Sequence, residues 1–212
     1  MKKKLIALTG AGISAESGIK TFRDADGLWE GHDVMEVATP QGFKKNPALV
    51  LDFYNQRRKQ LKEVVPNTAH LALKELELNY EVHVITQNVD DLHERAGSTA
   101  VLHLHGELKK VRSLGYPFKC YNWDGDLTLE DRCENGFGLR PHIVWFGEEV
   151  PALEEAANLI ADADLVLVIG SSMQVYPAAG LVGLAPPDAR VFYIDPRPTL
   201  SFELQMRKNL KV

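Results

Sequence analysis

The chain has 212 residues, 45% of them hydrophobic, which suits one sizeable domain or one domain with a small insert. Charged residues make up 25% and the formal net charge is -5, so there is no basic footprint for nucleic acid. The apolar stretch after Lys2-Lys3-Lys4 runs about five residues, too short for a signal-peptide core or a membrane span, so a cytoplasmic protein with no membrane partner is expected.

In chain order, the apolar run Leu5–Thr9 reads as a strand. It leads into TGAGISAESGIKTFRD, Thr9 to Asp24, where Gly10, Gly12 and Ala15 fit the G-x-G-x-x-[GA] dinucleotide fingerprint. A hydride-transfer domain would continue with a helix and a second strand, ending in an acid about 20 residues on. This chain continues instead with Gly18, Thr21-Phe22-Arg23-Asp24 and Gly27-Leu28-Trp29. The stretch Gly18–Gly42 is a long connection, and loops of that length usually carry function. Pro47 suits the first turn of a helix reaching about Glu63, and Pro66 opens another to about Leu78.

Strands are expected next at Val82–Thr86 and Val101–Leu104. Glu107–Arg140 is irregular and rich in glycine, and reads as a small inserted module. A strand at His142–Phe146, a helix at Ala152–Ala161, and strands at Leu165–Ile169 and Val191–Ile194 complete the series. Most of these strand runs are short, apolar and not alternating, as in a parallel sheet buried on both faces. The fold class expected is α/β, a Rossmann-like doubly wound parallel sheet with a small inserted module.

Ligands of such sheets bind beyond the carboxyl ends of the strands. Those ends carry Gly10–Asp24, Gln87-Asn88-Val89-Asp90, His105-Gly106, Gly147-Glu148, Gly170-Ser171-Ser172 and Asp195. Each has a bland reading. The glycines can be turn chemistry, Gly170-Ser171-Ser172 a helix cap, and Asn88 and Asp90 Asx turns. Arg23 and Asp24 can be an exposed ion pair. His103 and His105 share a face on an extended segment, but only His105 stands at the presumed strand end before a glycine. Six such ends on one edge are harder to dismiss than one.

The stretches GAGISAESGIKTFRD, TQNVDDLH, HLHGEL, LRPHIVWFGE and GSSMQVYPAAGL stand in the order and spacing of the sirtuins. The chain resembles that family of NAD-dependent protein-lysine deacylases from Leu5 to about Pro196. The resemblance implies a single catalytic domain over residues 1–212. Its large part spans about 1–30, 80–106 and 142–212, with a helical insert over about 31–79 and a small module over about 107–141.

It also implies roles. Gly10, Ala11, Gly12, Ile13 and Ser14, with Glu16, Ser17 and Thr21, belong to the loop that holds the pyrophosphate and ribose of NAD. Backbone N–H groups from Gly12 onward would meet phosphates, with charge from Arg23. Phe22 would shield the ribose carbon from water, and Asp24 and Trp29 belong to the same site. Gln87 and Asn88 would bind ribose hydroxyls, with Val89 beside them, and Asp90 the nicotinamide carboxamide. Gly170, Ser171, Ser172 and Asp195 would line the adenosine half.

His105 would be the general base, with Asn88 assisting, since imidazole titrates near neutrality. Val144, Phe146, Gly147 and Glu148 on one side, and Val175 and Tyr176 on the other, would flank an acyl-lysine peptide added as a strand. NAD would be consumed as a co-substrate, with nicotinamide leaving and the acyl group passing to the ribose. The partners expected are acylated-lysine proteins.

Tyr54 and Arg57, in FYNQRRKQL, are three residues apart and share a helix face. A guanidinium grips a carboxylate through two hydrogen bonds, and a tyrosine hydroxyl can donate a third. The bland reading is a solvated basic face, with Arg58 and Lys59 beside them. Tyr-x-x-Arg resembles the sirtuin subgroup that removes succinyl and malonyl groups, so an acyl pocket that accepts an acidic tail as well as acetyl is expected.

Two features depart from the family. Ser113 stands where a first zinc cysteine is expected, and Cys120 and Cys133 lack Cys-x-x-Cys partners, so no zinc and no disulfide are expected. The insert would then be held by packing of Tyr116, Phe118, Tyr121, Trp123 and Phe137. The chain also ends at RKNLKV, where a further strand and closing helix would be due. Competing functions are an NAD glycohydrolase or mono-ADP-ribosyltransferase, against which the peptide-flanking segments argue. A silent NAD-binding module is opposed by the presence of both His105 and Asn88.

Overall fold

The computed structural model describes residues 2–20, 28–29 and 31–212. The chain opens with β1 (Lys3–Thr9), a tight helix at Ala11–Ser17 and the hairpin β2 (Leu28–Trp29) and β3 (His32–Asp33). Four helices follow: α1 (Val34–Val37), α2 (Pro40–Lys45), α3 (Pro47–Glu63) and α4 (Thr68–Leu76). Next come β4 (Tyr80–Thr86), α5 (Leu92–Arg95) and β5 (Val101–His103). The small module is built on β6 (Gly106–Ser113), β7 (Cys120–Asn122) and β8 (Leu139–Ile143). The chain ends with α6 (Leu153–Ile160), β9 (Leu165–Ile169), a tight helix at Ala178–Leu184, β10 (Arg190–Ile194), α7 (Phe202–Gln205) and β11 (Leu210–Lys211).

The main sheet is parallel, in the order β11-β10-β9-β1-β4-β5. From β1 the chain winds outward through β4 and β5, then returns to build β9, β10 and β11 on the other side. The order reverses between β1 and β9, and that switch point opens a crevice at their carboxyl ends. β1 is buried on both faces: Ile6 and Leu8 pack with Ala156, Ile160 and Val182, and Leu5 and Ala7 pack with Leu73 of α4. Each Leu, Ile or Val side chain among them contributes about 1.5–3 kcal/mol by leaving water. That double burial is why β1 reads as an unbroken apolar run.

α3 begins as the sequence suggests, with Pro47 in its first turn and the Asn46 side chain accepting from Leu49 N–H. α4 begins later than Pro66, at Thr68. Asn67 caps it, accepting from Ala69 N–H, while its own N–H donates to His70. A proline immediately ahead of such a box ends the preceding extended segment rather than opening the helix.

The strand expected at His142–Phe146 is displaced. It is β8, an edge of the antiparallel sheet β7-β6-β8, and does not belong to the parallel sheet. Pro141 supplies the reason: it lacks an N–H, which an edge position tolerates and a strand hydrogen-bonded on both sides does not. The sixth parallel strand is β11, so the chain beyond Asp195 does add a helix and a strand.

The module is also more regular than expected. β6 is eight residues long, but its register slips between Glu107 and Val111, which breaks the alternation of apolar residues. Its core is Val111, Leu127, Cys133 and Leu139 against Leu51 of α3, with Tyr121 and Trp123 packed around it. Phe118 is 97% exposed, and Tyr116 and Phe137 are about half exposed, so these three do not anchor it. Tyr116 and Phe137 meet edge to face on the surface instead.

Candidate active site

The glycine loop and the Gly170 loop meet across the switch point. Gly10 N–H donates to the Ile169 carbonyl at 3.0 Å and Gly12 N–H to the Gly170 carbonyl at 2.8 Å. A Cβ on Gly12 would lie 2.6 Å from Gly170 Cα, and one on Gly10 2.8 Å from Gly170 O. Gly170 has φ +59, and a Cβ there would lie 2.2 Å from Ile13 N. The glycines therefore let two loops touch. In this structure the Gly12 N–H is engaged by the Gly170 carbonyl. Glu16 and Ala15 are exposed and Ile13 is buried. Thr21, Phe22, Arg23 and Asp24 lie outside the described residues.

Ser14 sits fully buried under this loop. Its hydroxyl donates to Asp90 Oδ2 at 3.0 Å and accepts from Asn88 Nδ2 at 3.0 Å. Burial pushes the Asp90 carboxyl up, against hydrogen bonds from Leu92 N–H and Ser14 that favour its charged form. The Asx turn allowed by the sequence is present as well, since Asp90 Oδ1 accepts from Leu92 N–H. Gln87 Nε2 donates to Ser171 Oγ at 3.1 Å, so the ends of β4 and β9 are tied together across β1. The Val89 carbonyl accepts from Leu108 N–H.

Two histidines grip the Gln87-Asn88 pair from the next strand. His105 Nδ1 lies 3.0 Å from the Gln87 carbonyl and His103 Nδ1 2.8 Å from the Asn88 carbonyl. A carbonyl only accepts, so each Nδ1 carries a proton. In neutral His105 the Nε2 then holds the lone pair. Burial lowers the His105 pKa, with the Gln87 carbonyl opposing. His103 differs: its Nε2 pairs with Glu94 at 2.8 Å, and although burial disfavours its charge, Glu94 prevails and raises its pKa. The sequence distinguishes the two only by the glycine after His105.

A second polar layer was not singled out in the sequence. Asn67 Nδ2 reaches back to the Ile13 carbonyl at 2.7 Å and Ser17 Oγ at 3.0 Å. His70 Nε2 approaches Ser14 Oγ at 3.5 Å, and His93 Nε2 meets Thr9 Oγ1 at 3.0 Å. The two rings stack edge to face, 4.8 Å apart, with no solvent exposure. Burial lowers their pKa values to about 4 for His70 and about 3 for His93. The available signal was Asn67-x-x-His70 at a helix start, a capping-box spacing.

Ser171 is buried and Ser172 half-buried. Asp195 forms a turn, accepting from Arg197 N–H at 2.8 Å. Val144 N–H donates to the His105 carbonyl at 2.9 Å, which ties the end of β8 to the histidine strand. Phe146 is 48% exposed and Gly147 has φ +88, while Tyr176 is 59% exposed and donates to Glu203. Val175 also reaches solvent. Glu148 turns inward. Its carboxylate takes Arg140 at 2.6 Å, Arg112 at 3.0 Å and Trp145 N–H at 2.8 Å.

Tyr54 and Arg57 do share one face of α3, but not a solvated one. Tyr54 is fully buried and its hydroxyl accepts from Trp145 Nε1–H at 2.9 Å. Arg57 is half-buried, with its guanidinium carbon 5.1 Å from the Phe53 ring centre. Trp29 meets Phe53 and Tyr54 edge-on at 4.8 and 6.0 Å. Arg58 is buried too, giving its N–H groups to Gly125 O, Leu108 O and Asn55 Oδ1. The neighbouring Asn55–Arg58 face thus holds the module, leaving Tyr54 and Arg57 on their own face.

The donors of the module do not fit a structural zinc, which takes four ligands. Cys133 Sγ pairs with Ser113 Oγ at 3.4 Å and Cys120 Sγ with His142 Nδ1 at 3.2 Å. Among the described residues no three His, Cys, Asp or Glu side chains converge on a metal position.

The model of the Sir2 family matches residues 10–177. The chain is 65% identical over 195 residues to an NAD-dependent protein deacylase of Helicobacter pylori (strain ATCC 700392 / 26695), covering 92% of this chain and 85% of that protein. It is 55% identical over 202 residues to an NAD-dependent protein deacylase of Aggregatibacter actinomycetemcomitans, covering 95% and 97%. Among solved structures, a Sir2 homolog in complex with NAD superposes with TM-score 0.86 at 41% identity, covering 96% of this chain and 82% of that one. A Sir2 bound to acetylated peptide gives 0.79 at 32% identity, covering 96% and 85%. The crevice, its histidine and the loops around it are those of a chain that belongs to the Sir2 family.

Proposed function

We propose that this chain removes acyl groups from protein lysine side chains, consuming NAD and giving nicotinamide and O-acyl-ADP-ribose. The observation that carries the reading is His105. Its Nδ1–H is committed to the Gln87 carbonyl, leaving Nε2 as a base at the carboxyl edge of the sheet. The relatives are named for this activity, and solved neighbours hold NAD or an acetylated peptide.

NAD supplies an activated glycosidic carbon whose leaving group is nicotinamide. The residues of this chain do the rest. The Gly10–Gly12 and Gly170 contact shapes the pyrophosphate cradle, with Phe22 and Arg23 in the roles their motif implies. Gln87 and Asn88 orient ribose hydroxyls, Asp90 with Ser14 receives the carboxamide, and Ser171 and Ser172 line the adenosine side. His105 Nε2 takes a ribose hydroxyl proton. Phe146-Gly147 and Val175-Tyr176, exposed on the surface, would flank a peptide strand.

The acyl pocket is read as accepting succinyl and malonyl as well as acetyl. Tyr54 supports this, because its oxygen accepts from Trp145 and its own proton is left to donate. Burial pushes its pKa far up, so that proton stays on. Arg57 follows one turn on to meet a carboxylate. Free thiols at Cys120 and Cys133 suit a reducing cytoplasm.

The test offers acetyl-, succinyl- and malonyl-lysine peptides with NAD and follows O-acyl-ADP-ribose by mass. Acyl-dependent formation of that product is expected. Nicotinamide release that is indifferent to the acylated peptide would establish a glycohydrolase instead.

A further inference from the structure

We propose that Trp145 is a positioning residue that sets acyl specificity through Tyr54. The inference rests on the reading of Tyr54 and Arg57 as the acyl clamp. A tyrosine hydroxyl both donates and accepts, so alone it does not discriminate a carboxylate from a donor group. Here the indole N–H of Trp145 occupies the acceptor side of Tyr54 Oη at 2.9 Å. What remains is the O–H proton, and accepting from the indole polarises it further. The hydroxyl is thereby committed to donating, the property an acidic acyl tail needs and an acetyl methyl does not.

This arrangement is held rigidly. Trp145 is 2% exposed. Its backbone N–H donates to Glu148 Oε2 at 2.8 Å, and the Arg140 guanidinium lies 3.3 Å from its ring centre. Arg140 is in turn fixed by Glu148 through both terminal nitrogens and by the Ile143 carbonyl at 2.9 Å. Arg112 of β6 grips the same carboxylate and the same carbonyl. The inward-turned Glu148 therefore has a function: it locks the indole whose N–H orients Tyr54. The small module supplies both arginines, which links it to the acyl pocket.

Trp145→Phe keeps an aromatic ring under Arg140 and removes the N–H together with the five-membered ring, so the loss common to both peptides reports packing and only the difference between them reports the N–H. The expected result is a rise in KM for a succinyl-lysine peptide of about five- to tenfold, the scale of one hydrogen bond. Its kcat, and KM for the acetyl-lysine peptide, should stay within about twofold. Introduced into a Tyr54→Phe background, the same change should add nothing, since the hydroxyl it acts through is gone. Equal losses on both peptides, or full additivity with Tyr54→Phe, would overturn the proposal.

If Trp145→Phe does not fold, the indole 15N–1H resonance of wild-type Trp145 serves. It should shift on adding succinyl-lysine peptide but not acetyl-lysine peptide, and Tyr54→Phe should abolish the shift. An identical response to both peptides overturns the proposal. A wild-type enzyme that does not process succinyl-lysine at all sinks the acyl-clamp reading and this inference with it. Wild-type desuccinylation that depends on Arg57 but not on Trp145 sinks this inference alone.

Discussion

His105 Nδ1 lies 3.0 Å from the carbonyl oxygen of Gln87, and this contact decides which ring nitrogen keeps its lone pair. With Nδ1 protonated, Nε2 is the base. His105→Ala should keep the loops proposed to hold NAD and lose the proposed base, so turnover should fall by roughly 10²- to 10⁴-fold. NAD binding by calorimetry should change little. Unchanged deacylation in that variant would refute the assignment.

The same contact carries a pH dependence. The base works as neutral imidazole, and burial lowers the His105 pKa below its ordinary 6.5. Activity should therefore persist into mildly acidic solution and fall only as pH drops through that lowered pKa. Measured on an acetyl-lysine peptide from pH 5 to 8, kcat/KM should show its acid limb below 6.5. A limb at or above that value would point to another group as the base.

Gly12 and Gly170 should not tolerate a side chain. Gly12→Ala places a Cβ 2.6 Å from Gly170 Cα, backbone against backbone, so one loop has to move. Overpacking of this kind costs about 1–3 kcal/mol. At about 2–4 °C per kcal/mol for a domain of this size, the melting temperature should fall by several degrees. Because the displaced loop is the one proposed to cradle NAD, KM for NAD should rise as well. A variant with wild-type melting and wild-type KM would show that the loops do not depend on this contact.

Much of this site was legible in the sequence because its chemistry sits at chain positions with a local signature. The strand β1, the glycine loop and the His105-Gly106 pair could be read directly, since a doubly buried strand is an apolar run and a strand end is where polarity returns. What could not be read depended on partners far away in the chain. Nothing local marks the Gly12 N–H as spent on Gly170, 158 residues on. The strand β6 was hidden by its own bulge, and the buried pair His70 and His93 by the absence of any motif joining α4 to α5. Arg58 looked solvated because, apart from Asn55 on its own helix, its partners are carbonyls of the distant module. Helix periodicity separated the Tyr54–Arg57 face from the Asn55–Arg58 face only once the module's position was known.

The buried histidines predict how the fold responds to acid. In the folded protein His70 and His93 stay neutral down to about pH 4 and about pH 3, whereas unfolded histidine takes up a proton near 6.5. Between those values the unfolded chain binds more protons, so stability rises with pH and is lost as pH falls below 6.5. Each histidine should contribute about 1.4 kcal/mol per pH unit well inside that window. Urea unfolding from pH 7 to 5 checks this, and His70→Asn should make the dependence shallower. An unaltered slope in that variant would show that His70 protonates as readily folded as unfolded.

The proposed acyl preference turns on Arg57. Its side chain lies along Phe53, one helical turn from Tyr54, within an aromatic wall that also includes Trp29. In such a setting a charge-assisted bond to a carboxylate is worth about 1.5–3 kcal/mol, roughly a tenfold to hundredfold change in binding. Arg57→Met keeps the apolar stem and removes the charge. KM for succinyl- and malonyl-lysine peptides should rise by that factor, while acetyl-lysine, which has no carboxylate to grip, should be processed within about twofold of wild type. The comparison has to be made on one peptide sequence, so that contacts along the Phe146-Gly147 and Val175-Tyr176 segments cancel. Equal losses on the acidic and neutral acyl groups would mean that Arg57 supports the fold of α3 and not the recognition of a carboxylate.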